Sequence, residues 1–306
     1  MGRRLTDTTR DDGTRELLGV HGHTRGQRMR PTRQIPYAER DGAELALHVF
    51  EPGNDAAPAS AAVRRPAIVF FFGGGWTGGT PAQFYPHCAS LASRGLVAIS
   101  AEYCVRSRHG TTPFDAVEDA RAAIAWVRAH VDELAVDGRR IAAGGGSAGG
   151  HLAACAGVIP DPNGERDSKP DALVLFNPVT VFAPVYGLDA EDRARQDGIA
   201  TRLDGKDGAP ISPYHHVAAD APPTILFHGE ADSIVPFRTA ELFAEAMASE
   251  GVRCELHAYA DEDHGFFNYG RGDTFLDTVR AADEFLTSLA YADGPPEVDA
   301  FGWDEA

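Results

Sequence analysis

The run Ile141-Ala142-Ala143-Gly144-Gly145-Gly146-Ser147-Ala148-Gly149-Gly150-His151 reads as the end of a buried strand, a turn of small residues with one serine at its apex, and the start of a helix. Within it, Gly145 to Gly149 fits the pattern G-x-S-x-G of a nucleophile elbow. The glycines have a physical reason. A serine held in a tight strand-to-helix turn needs neighbours with little or no side chain, so that strand and helix can approach. The hydroxyl then stands clear of the sheet beside the positive end of the helix that follows. Five residues alone are a weak pattern, so the rest of the chain must supply the context.

Working outward, buried strand patterns alternate with amphipathic helix patterns. An apolar run over 67–72 suits a strand covered on both faces. The segments 35–37 and 45–50 suit an antiparallel hairpin turning at Asp41-Gly42. Further strands are expected over 96–101, 140–143, 173–176, 224–227 and 254–259, with helices over 81–93, 148–158, 237–249 and 274–289. Thr112-Pro113 opens another helix, with a cap, a proline at its first position, and Val117, Ala120, Ile124 and Val127 on one face. This alternation predicts an α/β fold with a mainly parallel sheet. Roughly forty polar, irregular residues between 176 and 224 form a loop long enough to act as a lid.

Composition narrows the function classes. The chain has 306 residues, 43% of them hydrophobic and 24% charged, as in an ordinary soluble globular protein. No apolar run approaches the roughly 18 residues that cross a bilayer. Arg3-Arg4 has the start of a twin-arginine signal, but no apolar segment follows it, and a cytoplasmic setting is expected. The formal net charge of −17 is uneven, because residues 1–33 hold eight arginines against four acidic residues. That stretch is expected to be a disordered basic extension, and Met29 offers a second candidate start. The acidic body argues against nucleic-acid or membrane partners and leaves a small-molecule substrate, with homo-oligomerisation open. The four cysteines, Cys88, Cys104, Cys155 and Cys254, show no C-x-x-C pair, so neither zinc nor a disulfide framework is expected. Residues 34–293 read as a single domain, followed by a loose acidic tail over 294–306.

Two later strand ends supply what a serine nucleophile needs, a base to take its proton and an acid to hold that base in one tautomer. After the strand over 224–227 comes His228-Gly229-Glu230-Ala231-Asp232-Ser233-Ile234-Val235-Pro236, and after that over 254–259 comes Asp261-Glu262-Asp263-His264-Gly265-Phe266-Phe267. Loops at the carboxyl ends of parallel strands gather on one sheet edge, so Ser147, Asp232 and His264 can converge although 117 positions separate the first and last. Asp232 is preferred to Asp261 and Asp263, whose closeness in sequence points them away from the His264 ring, and Glu230 is a further rival. His228 and His151 are expected to serve the structure, and His215-His216 lacks the carboxylates a metal site would need. No metal and no cofactor is expected. Gly73-Gly74-Gly75-Trp76, directly after a buried strand, suggests backbone approaching something closely. The N–H groups of Gly74 and Gly75, with that of Ala148, are the candidate donors to an oxyanion.

With these motifs together the chain resembles the α/β-hydrolase superfamily, in the esterase/lipase branch related to hormone-sensitive lipase and small carbohydrate-ester esterases. The likeness runs from about Gln34 to Leu289 and rests on Gly73–Trp76, the elbow, His228-Gly229 with Asp232 and Val235-Pro236, and His264-Gly265-Phe266. It implies an eight-stranded, mostly parallel sheet flanked by helices, a lid over about 179–221, and hydrolysis of small, short-acyl carboxylic esters through an acyl-enzyme. Acyl transfer on the same triad, or ligand binding without catalysis, are the alternatives it leaves. One departure stands out: such families usually carry a histidine before the three glycines, where this chain has Phe72. The loop is therefore expected to be held by packing, with Phe72 in the core.

Overall fold

Pro66 to Phe71 of strand β3 (Arg65–Phe71) are all buried, which is possible only for a strand covered on both faces. The computed structural model describes residues 29–40, 42–53, 64–161, 164, 167–298, 301 and 303. The basic stretch over 1–28, Asp41 of the hairpin turn and most of the Pro- and Ala-rich loop after β2 lie outside these. The other strands are β1 (Arg33–Arg40), β2 (Ala43–Phe50), β4 (Val97–Ala101), β5 (Val136–Gly146), β6 (Ala172–Phe176), β7 (Thr224–Gly229) and β8 (Cys254–Tyr259). They form one eight-stranded sheet in the order β1-β2-β4-β3-β5-β6-β7-β8. β1–β2 and β2–β4 pair antiparallel, and every later pair is parallel.

β5 is longer than the apolar residues over 140–143 suggested. Its glycines keep the ladder, with Gly145 opposite Phe71 and Gly146 opposite Phe176. Aromatic side chains from neighbouring strands and loops occupy the space that side chains would fill there: a Cβ on Gly146 would stand 2.2 Å from Cζ of Phe267.

Among the described residues five longer helices pack on the sheet, α1 (Tyr85–Ser93), α2 (Pro113–Ala129), α3 (Ala148–Val158), α5 (Phe237–Ser249) and α6 (Asp273–Ser288), while α4 (Ala190–Ala200) lies in the segment between β6 and β7. α2 starts with a capping box, in which the Asp115 carboxylate accepts from the backbone N–H and the hydroxyl of Thr112. α3 is buried along its whole length, as befits a helix of glycine, alanine and leucine pressed against β3, β5 and β6.

Two expectations are corrected. The segment over 179–221 is not irregular throughout: it contains α4, capped by Asp189 accepting from the N–H of Asp192, and short turns at Thr201–Leu203, Ala209–Ile211 and Pro213–His216. The tail is not loose where it is described. Val298 and Phe301 are buried, Trp303 packs edge-on to Phe275 of α6, and its indole N–H donates to the Val298 carbonyl. Apolar contact with α6 outweighs the acidic, proline-bearing composition. No helix of the described residues is long and apolar enough to cross a membrane.

Candidate active site

Ser147 joins β5 to α3 with φ 53° and ψ −119°, a conformation strained for a residue with a side chain. It is held there from both sides. Its N–H donates to the Phe176 carbonyl at 2.9 Å, and its own carbonyl accepts from the N–H of His151 at 3.0 Å. The helix can begin this close to the sheet only because of Gly149, where a Cβ would stand 1.9 Å from the Phe71 carbonyl oxygen.

The carboxyl ends of β7 and β8 bring two partners to that hydroxyl. His264 Nε2 lies 2.9 Å from Ser147 Oγ, and His264 Nδ1 lies 2.8 Å from Asp232 Oδ2. Both bonds fit one tautomer, with the proton on Nδ1 and the free Nε2 accepting from the serine hydroxyl. Asp232 is 1% exposed, and its other oxygen accepts from the N–H groups of Ile234 and Val235. Burial alone would push this carboxyl up. Hydrogen bonds from His228 and His264 instead hold it below the usual carboxylate range.

The rival acids are elsewhere. Asp263 accepts from the N–H and hydroxyl of Ser233 and from the N–H of His264, which braces the loop that carries the imidazole. Glu230 and Asp261 are exposed. His151 is fully buried, bonds the Ile211 carbonyl through Nε2 at 2.7 Å, and lies edge-on to Trp76. Burial takes its pKa down to about 4, so it ties α3 to the segment over the site as a neutral ring. His215 and His216 bond Ser212 and the Ala209 carbonyl respectively.

Two residues escaped sequence reasoning as members of the site. His228, read as structural, is buried with Nε2 at 3.0 Å from the Val235 carbonyl and 3.2 Å from Asp232 Oδ2. Asn177, at the carboxyl end of β6, accepts from the N–H of Gly265 at 3.1 Å and so fixes the residue after the imidazole. The signal for both was the same: a buried polar residue where a strand leaves the sheet.

The glycine turn after β3 abuts the elbow, since a Cβ on Gly73 would lie 3.4 Å from that of Ser147. Gly74 has φ 131° and a Cβ there would collide with the Gly78 carbonyl, so no other residue fits. Among the described residues no acceptor takes the N–H of Gly74 or Gly75, and the N–H of Ala148 is a first-turn donor that α3 cannot itself satisfy. Packing is not the turn's sole support. Phe72 stacks on Tyr103, as expected of a core residue, but the Tyr103 hydroxyl also donates to the Phe72 carbonyl at 2.8 Å. Gln83 accepts from the N–H of Gly73 at 2.6 Å and donates to Asn268. These polar contacts, together with the packing of Phe72, anchor the turn.

Above Ser147 opens a cleft of about 280 Å³, walled by Gly75, Trp76, Val179, Ile199 and Val235 and rimmed by Arg195 and Arg202. It has the size of a small-molecule site and the mixed wall, mostly apolar with a few polar groups, that such sites carry.

The sequence model of the BD-FAE family matches residues 56–247. The probable carboxylic ester hydrolase LipM of Mycobacterium tuberculosis is 33% identical over 242 residues, covering 73% of this chain and 54% of LipM. The chain thus spans about half the length of the curated relatives it matches. Among solved structures, esterase 2 of Thermogutta terrifontis with propionate bound is 46% identical at a TM-score of 0.77, with 87% of this chain and 97% of that one covered. The same esterase phosphonylated by sarin is 45% identical at a TM-score of 0.78, with 86% and 96% covered.

Proposed function

We propose that this chain, which belongs to the BD-FAE family, an α/β-hydrolase esterase family, hydrolyses small, short-acyl carboxylic esters through a Ser147–His264–Asp232 triad. The observation that carries the reading is the unbroken path of hydrogen bonds from Ser147 Oγ through both nitrogens of His264 to Asp232. Ser147 attacks the ester carbonyl while His264 Nε2 takes its proton. Asp232 holds the ring in the required tautomer and stabilises the imidazolium that forms. The carbonyl oxygen gains its negative charge beside the N–H groups of Ala148, Gly74 and Gly75, donors already oriented before reaction. His264 then protonates the departing alcohol. A water molecule, deprotonated by the same ring, attacks the acyl-serine and releases the acid.

The cleft supports short acyl groups, as its volume of about 280 Å³ leaves little room for a long chain. The related esterase solved with propionate and with butyrate supports the same range. A reducing, cytoplasmic setting fits four cysteines with no disulfide between them. The test is a series of para-nitrophenyl esters of increasing acyl length. The expected result is a maximum among the shortest acids and a loss of about 10⁴-fold or more in kcat for S147A. Fastest turnover of the longest chains would contradict the size assignment, and retained activity in S147A would contradict the nucleophile.

A further inference from the structure

Arg202, in the turn Thr201–Leu203 that follows α4, lines the same cleft as Ser147. Its guanidinium lies over the glycine turn: Cζ is 3.9 Å and both terminal nitrogens are 4.0 Å from the point where a Cβ on Gly75 would sit. The one hydrogen bond its side chain makes among the described residues runs from Nη1 to the Thr77 hydroxyl at 2.8 Å, and that hydroxyl in turn donates to the Gly75 carbonyl. Thr77 thus fixes the guanidinium against the turn without neutralising it.

No carboxylate among the described residues pairs with this charge. Asp204, two residues on, is engaged by Arg106. The other cleft arginine, Arg195, is paired with Asp192 and Glu191 and also donates to the backbone carbonyl of Asp232. Arg108 and Arg193 likewise bond only backbone carbonyls among the described residues, but neither lines the cleft, whereas Arg202 brings its unpaired guanidinium there. A planar fork of donors matches a carboxylate.

We propose that Arg202 is a specificity-determining residue that recognises a carboxylate on the substrate, so that the preferred esters are half esters of short dicarboxylic acids or acyl esters of hydroxy acids. The inference rests on the reading of the cleft as an ester-hydrolysing site. An ester carbonyl seated at the N–H groups of Gly74 and Gly75 puts a carboxylate a few bonds away within reach of the free Nη2 and Nε donors. Both ester types present the same chemistry, and they differ only in which side of the scissile bond bears the charge.

Two matched pairs of substrates separate them: the para-nitrophenyl half ester of glutarate against para-nitrophenyl pentanoate, and para-acetoxybenzoate against its methyl ester. In the wild type, kcat/KM for the charged member of at least one pair exceeds that of its neutral match. In R202Q the charged-to-neutral ratio for that pair falls at least about fivefold, mainly through KM, and R202K keeps part of it. Added salt weakens the wild-type preference, because the charge lies at an exposed rim. A fall in the glutarate pair puts the carboxylate on the acid side, and one in the benzoate pair puts it on the alcohol side. A ratio unmoved by R202Q in both pairs, or a wild type that prefers the neutral ester in both, overturns the inference. Turnover of neutral esters in that event leaves the hydrolase reading standing. Absence of Ser147-dependent turnover on every ester removes that reading instead.

Discussion

His228 Nε2 lies 3.2 Å from Oδ2 of Asp232, the same oxygen that bonds His264 Nδ1 at 2.8 Å. The carboxylate therefore stands between two imidazoles, one fully buried and one bonded to Ser147, while two backbone N–H groups hold its other oxygen. An acid so fixed cannot swing away when the His264 ring gains a proton. His228, which also reaches the Val235 carbonyl, ties together the turn that presents Asp232.

Asp232 and Asp263 both touch His264, one at its ring and one at its backbone, and their removal should differ in kind. D232N presents the wrong hydrogen-bonding group to Nδ1 and should lower kcat by about 10³–10⁴-fold. D263N loosens a loop through bonds to Ser233 and the His264 N–H, with an expected loss of less than about tenfold. Equal losses in steady-state assays would contradict the assignment of the acid.

The depressed Asp232 carboxyl also links stability to pH. Its pKa is lower folded than unfolded, so below about pH 4 the unfolded chain binds the extra proton. The stabilisation is fully present above that pH and is lost as the pH falls towards the folded value. Melting temperatures measured from about pH 5 downward should thus fall more steeply for the wild type than for D232N. Identical slopes would show that the two imidazoles do not hold the carboxylate as described.

Gly149 sets helix propensity against packing. Alanine in a helix interior is favoured over glycine by about 1 kcal/mol. Here its Cβ would lie 1.9 Å from a backbone oxygen of β3, which cannot move without shifting the sheet. G149A should therefore destabilise by about 2–4 kcal/mol in denaturant titration, the opposite sign from propensity alone.

The glycine turn is held by Gln83, which accepts from the Gly73 N–H, and by Tyr103, which donates to the Phe72 carbonyl. Q83L removes the acceptor of the Gly73 N–H and should lower kcat about tenfold with a smaller change in KM, since the donors act on charge that develops after binding. A change confined to KM would assign Gln83 to substrate binding instead.

Much of this was legible in the chain. Strands such as β3 and β7 are short apolar runs that end in glycine or histidine motifs, and the elbow fixes its own geometry through residue size. Ser147, Asp232 and His264 could be chosen because each follows a strand whose end must lie on one sheet edge. α4 was hidden for a physical reason: its sequence, AEDRARQDGIA, buries only Gln196, so no apolar stripe marks it. The Asp189 cap and the pairing of Arg195 with Glu191 and Asp192 support it, but these are weak signals without an apolar face. The tail misled through composition, because Val298, Phe301 and Trp303 are too few to outweigh prolines and acids until α6 offers them a surface. Asn177 and Gln83 could not be assigned partners, since Gly265 and Asn268 lie far along the chain, and His228 marked itself only as a buried polar residue at a strand end.

Ser147 is the one residue whose hydroxyl should react as an activated nucleophile. Intact-mass and peptide-mapping measurement after exposure to a fluorophosphonate tests it most directly. One covalent adduct, located on Ser147, is expected, and none on S147A. An adduct on another residue, or one that persists in S147A, would contradict it.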